Sequence, residues 1–95
     1  MACQAFAKER KLEYIQDELN NVIIIKEATE GYEEVAPIII QGHMDMVAVK
    51  EADCSIDMEK EGLQLVVSGD DVYAEGTSLG GDDGIAVAYA LALLD

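Results

Sequence analysis

An α/β layer built on a mixed β-sheet, with hairpins and packed helices, is the fold class the sequence predicts, on three observations. A continuous β-branched run, Ile38-Ile-Ile40, follows Pro37 and suits a central strand covered on both faces. Two pairs of short apolar segments flank turn-forming residues, at Asn20-Asn21 and at Ser68-Gly-Asp-Asp71, and read as hairpins. A last run, from Ile85 to Leu94, is apolar almost all the way round, which is normal for a helix buried on both sides.

Residues 2–13 contain good helix formers with apolar Phe6 and Leu12, and predict a short N-terminal helix. Residues 14–19 and 22–26 form the first hairpin, because asparagine tolerates the positive φ of a tight turn. Residues 29–35 read as an acidic loop, and 37–40 as the buried strand. Residues 63–67 and 72–74 make the second hairpin, after which a glycine-rich turn leads into the final helix. That helix is too short to span a bilayer. No repeat, low-complexity tract or interdomain linker divides residues 1–95, which read as a single partial domain.

Twenty acidic residues against six basic ones give a net charge of −14. Nucleic acid and anionic membranes both need positive surface, so neither is an expected partner. Most of these carboxylates are expected to form a solvated face. Cys3 and Cys54 lack metal-type spacing and read as reduced thiols, and no basic-then-apolar leader begins the chain, so a cytoplasmic location is expected.

The chemistry concentrates in two segments. His43, the sole histidine, lies two residues before Asp45 where the apolar run ends, in Gly42-His-Met-Asp-Met-Val47. Side chains alternate along a strand, so His-x-Asp can put both groups on one side. A carboxylate there can hold one ring nitrogen and leave the other for a metal. Equally, a lone histidine can be an ordinary hydrogen-bonded residue. Some forty residues later, Gly76-Thr-Ser-Leu-Gly-Gly-Asp-Asp-Gly-Ile85 surrounds Asp82 and Asp83 with glycines at a helix start. Either aspartate could simply cap that helix.

Together these segments resemble the M20 family of metallopeptidases, most nearly its aminoacyl-histidine dipeptidase (Xaa-His dipeptidase, peptidase D) branch. Residues 17–32 are also similar to that family's N-terminal hairpin and loop, so the resemblance runs over nearly the whole chain in order. It implies the first part of a zinc-exopeptidase-like catalytic domain. His43 would ligate one zinc, Asp45 would orient the imidazole in support of catalysis, and Asp82 would bridge two metals. The resemblance also implies a cis bond between Asp82 and Asp83. The implied reaction is hydrolysis of small dipeptides, of Xaa-His type, at a centre holding two zinc ions, with manganese or cobalt as substitutes.

The family's general-base glutamate, its remaining acidic ligands and a second histidine match nothing in this chain. It is therefore expected to be inactive alone and to be completed by a C-terminal half or by self-association as a homo-oligomer. Two other readings stay open. One is a non-catalytic, self-associating module with at most a vestigial cation site. The other is an acidic calcium-binding domain, although Asp70-Asp71 and Asp82-Asp83 lack the spacing of a calcium loop.

Overall fold

The first helix stops four residues earlier than its composition suggests, and the reason is local. In the computed structural model, which describes residues 2–95, α1 spans Ala2–Glu9. Lys11 takes a positive φ of 57°, which turns the chain out of the helix, and the Leu12 amide bonds back to the Ala7 carbonyl at 2.9 Å. Glu13 is thereby released to begin a strand.

That strand, β1 (Glu13–Gln16), pairs antiparallel with β2 (Val22–Ile25), placing Glu13 opposite Ile25 and Gln16 opposite Val22. The connection is built around Asp17. Its Oδ1 accepts the amides of Leu19 and Asn21, each at 2.9 Å, while Oδ2 accepts the Asn21 side-chain amide at 2.7 Å. Asn20 supplies the positive φ, 67°. The turn is thus a five-residue loop, longer than Asn20-Asn21 alone suggested. Helix α1 packs on both strands through Ala7, which is fully buried. Arg10 stacks its guanidinium 3.8 Å from the Phe6 ring centroid and also pairs with Asp95. These elements belong to one compact unit, Met1–Ile39 with Leu93–Asp95.

A second unit covers Ile40–Ala92. Within it β3 (Leu65–Ser68) and β4 (Asp71–Ala74) form the second hairpin, turning at Gly69. Ile56 and Ala74 are its buried apolar residues. The Lys50 ammonium donates to the Ile56 carbonyl at 2.7 Å, tying down the irregular segment between them. Helix α2 spans Gly81–Leu94, with Asp82 and Asp83 departing from helical backbone angles at its start. No helix among the described residues is long and apolar enough to cross a membrane.

Two expectations are corrected. The sheet is not mixed: the described strands form two separate antiparallel pairs. Residues 37–40 form no strand, and Ile38 and Ile39 are 84% and 94% exposed. A strand exists by pairing its amides and carbonyls with a neighbour, and no described segment is hydrogen-bonded to this run. Helix α2 likewise contains no fully buried residue: one stripe, Ala86, Val87, Ala90, Leu91 and Leu94, is half-buried, while Ile85, Tyr89 and Leu93 on the rest of its apolar surface are exposed.

Candidate metal centre

All four singled-out residues lie in the second unit, and the backbone brings them together. Segment 43–51 runs antiparallel to segment 76–83. The Glu51 amide bonds to the Gly76 carbonyl, and the Ser78 amide to the Val49 carbonyl, each at 2.9 Å. Lys50 and Thr77 form a bridge between these bonds. Toward the other end, Met46 covers Gly80, and the His43 amide donates to Asp83 Oδ2 at 3.2 Å. Gly80 has φ +76°, and a Cβ there would meet Met46 Sδ at 2.6 Å, so glycine meets both a conformational and a spatial demand. Gly42 allows a second close approach: a Cβ there would lie 3.0 Å from Asp83 Oδ2.

This lacing presents the His43 ring to the start of α2. Nε2 lies 3.2 Å from Asp82 Oδ1. On the opposite edge, Nδ1 lies 3.1 Å from the Asp45 carbonyl oxygen and 3.4 Å from Asp45 Oδ1. Asp45 therefore holds the ring from both its main chain and its carboxylate, with the carbonyl nearer. Asp83 points elsewhere, to the His43 backbone, and so serves the loop and not the ring. The peptide bond between Asp82 and Asp83 is cis.

The Asp45 carbonyl raises the His43 pKa, with smaller contributions in the same direction from the Asp82 carboxylate and from the charge on Asp45. Partial desolvation of the ring works against them. The two side chains are open to solvent, 52% exposed for His43 and 95% for Asp82.

The hydrogen-bond logic around the ring restricts what lies between Nε2 and Asp82. The carbonyl on Nδ1 can only accept, so Nδ1 carries a proton. In the neutral ring Nε2 then offers a lone pair, aimed at a carboxylate that is also an acceptor. Two acceptors at this distance need a proton or a cation between them. The separation also suits a metal: ligands about 2.0–2.1 Å from a tetrahedral zinc lie about 3.3 Å apart. Among the described residues no group of three or more His, Cys, Asp or Glu converges on one point, so His43 and Asp82 offer a cation two side-chain donors.

Ser78 has no role that its sequence context announces, yet it sits midway along the lacing. Its hydroxyl donates to the Val47 carbonyl at 2.6 Å and accepts the Val49 amide at 3.3 Å. The one available signal is chemical: serine side chains bond readily to nearby main chain. Met46 is equally silent, since nothing in sequence tells which glycine a methionine will cover.

No family model matches the chain, and no solved structure matches it. Among curated proteins, it is 42% identical over 89 residues, 94% of its length, to the cytosol non-specific dipeptidase of Escherichia coli (strain K12). The resemblance to a dipeptidase is borne out. The aligned region spans 18% of that dipeptidase's own length.

Proposed function

We propose that this chain contributes part of the active site of a metal-dependent dipeptidase. The observation that carries the reading is the His43–Asp82 pair: an imidazole held on one edge by Asp45 and facing, 3.2 Å away, a carboxylate 39 residues further along. Identity to a dipeptidase over nearly the whole chain supports the same reading. The site residues proposed are His43 and Asp82 as ligands and Asp45 as the group that orients the imidazole.

When bound, a pair of zinc ions, or manganese or cobalt in their place, acidifies water and polarises a scissile carbonyl. The chain's own residues prepare for this. Asp45 keeps the proton on Nδ1, so the Nε2 lone pair is free and more basic. Asp82, whose Oδ1 faces His43, would hold the metal through its carboxylate. Asp83 anchors the backbone of His43 and so limits its swing away from α2. The remaining donors and the general base are proposed to come from polypeptide outside these 95 residues, supplied by the rest of the same protein or by a second copy.

The substrates proposed are small dipeptides. The name of the E. coli relative favours a range of dipeptides over restriction to Xaa-His, which would then be one class among several. A cytoplasmic location is proposed from the same relative. The exposed Ile85 and Tyr89 on α2 support a surface that this further polypeptide covers, because uncovered apolar residues of this kind gain from burial.

The test uses the polypeptide that carries these residues in its full length. Asp82→Ala is expected to abolish both zinc loading, measured by metal analysis, and dipeptide hydrolysis. Full activity in that variant would overturn the assignment.

A further inference from the structure

We propose that Ser78 is a positioning residue for the His43–Asp82 pair, clamping segment 47–49 through its hydroxyl. The inference rests on the reading of that pair as metal ligands and extends it to a side chain that touches neither imidazole nor carboxylate.

Segments 43–51 and 76–83 are joined at both ends. At one end the Glu51 amide reaches the Gly76 carbonyl, and at the other the His43 amide reaches the Asp83 side chain. Between them the Ser78 amide to Val49 carbonyl bond is the last backbone–backbone link before His43. Beyond it, an ordinary antiparallel ladder would continue through amides and carbonyls. Here the Ser78 hydroxyl takes over, accepting from the Val49 amide at 3.3 Å and donating to the Val47 carbonyl at 2.6 Å. With its own amide counted, Ser78 holds the neighbouring segment at three main-chain atoms.

That grip fixes one end of the stretch that carries the imidazole. Between Val47 and His43 the contacts to segment 76–83 include Met46 against Gly80, the His43–Asp83 bond and the approach of the His43 ring to Asp82. Met46 is a flexible thioether and fixes position poorly on its own. The hydroxyl at residue 78 thus adds a directional constraint on the main chain at the Val47–Val49 end of that stretch. Alanine would leave the Val49 amide and Val47 carbonyl to water. Threonine retains the hydroxyl and can restore both bonds.

In the full-length polypeptide that carries these residues, labelled with 15N-histidine, the ring-nitrogen resonances of His43 are identified by their loss in His43→Gln. The experiment compares wild type, Ser78→Ala and Ser78→Thr at a pH above the midpoint of the wild-type His43 ring titration, so that the imidazole is neutral. It records the two ring-nitrogen shifts and the amide exchange rate of Val49, with helix content as the check on folding. Wild type is expected to show one dominant tautomer and a protected Val49 amide. Ser78→Ala is expected to average the tautomers and to speed Val49 exchange by about five- to tenfold, the effect of one ordinary hydrogen bond. Ser78→Thr is expected to restore both.

Wild-type ring shifts that persist unchanged in Ser78→Ala would overturn the role of Ser78 and leave the His43–Asp82 reading standing. A threonine variant behaving like alanine would also overturn it. Averaged tautomers in wild type would remove the ordered ring itself, and both readings would fall. Should Ser78→Ala lose helix content, the wild-type Val49 exchange rate decides: an unprotected amide there refutes the clamp.

Discussion

Replacing Gly80 by alanine asks how tightly segment 43–51 is held against segment 76–83. Gly80 sits at φ +76°, where an alanine costs about 1–2 kcal/mol relative to glycine. The new Cβ would also lie 2.6 Å from Met46 Sδ and 3.3 Å from Met46 Cβ. Met46 must swing aside, and an off-rotamer side chain costs about 0.5–1.5 kcal/mol. Together these weaken the closure by about 2–3 kcal/mol, or roughly 30- to 150-fold in the rate of local opening. Amide hydrogen exchange reads this directly at Ser78 and Glu51, whose amides bond across the closure. Gly69→Ala is the control, since Gly69 also has a positive φ, +61°, but no neighbour within 4 Å of a new Cβ. It is expected to speed exchange in the β3–β4 hairpin alone, by about the 1–2 kcal/mol of backbone strain. Met46→Ala introduced beside Gly80→Ala is expected to recover the part due to overlap. Ser78 and Glu51 exchanging at wild-type rates in Gly80→Ala would refute the reasoning.

Three other outcomes are expected. Asp17→Ala is expected to unravel the loop between β1 and β2, seen as loss of protection at the Leu19 and Asn21 amides. The bond from the Asn21 side chain, followed by those from the backbone, lowers the Asp17 pKa, so the loop's order is present above 3.8 and lost as pH falls through the lowered value. For His43 the sign reverses: its pKa is raised, so its charged pairing is fully present below 6.5 and lost as pH rises through the raised value. Asp82→Asn should move the midpoint of the His43 ring titration downward, whereas zinc affinity, which needs the neutral ring, should fall as pH drops through that midpoint. Asp45→Ala keeps the carbonyl on Nδ1 but removes the carboxylate, and is expected to weaken zinc binding by roughly 10- to 100-fold in a competition titration. Unchanged affinity would assign the orienting role to the carbonyl alone.

Short-range chemistry is the part of this molecule that is legible in its sequence. Asn20 and Gly69 announce their turns because few residues accept positive φ; the second hairpin turns at Gly69, and the first turns through Asn20 over a loop that begins earlier, at Asp17. The approach of His43 to Asp82 could be anticipated from the resemblance carried by the two motifs, and the structure brings those side chains within 3.2 Å. Ile38-Ile-Ile40 misled because β-branched runs report a preference for strands, not the presence of a partner, and pairing is decided by residues distant in sequence. The start of the first helix was evident but its end was not, since Lys11 is an ordinary helix former that adopts a left-handed angle here. The nearer approach of the Asp45 carbonyl than of its carboxylate was also hidden. Sequence identifies side chains, while the main chain of any residue offers the same oxygen.

The lacing of segment 43–51 against segment 76–83 decides which changes of length the chain tolerates. The stretch between them, 52–75, can grow or shrink at the β3–β4 turn without altering which amide faces which carbonyl. A single residue added between His43 and Val49, or between Ser78 and Asp82, shifts the imidazole and the carboxylate out of phase by one position. Variation in length should therefore be accommodated at the tip near Gly69, while the spacings from 43 to 49 and from 78 to 82 stay constant wherever the pair is used.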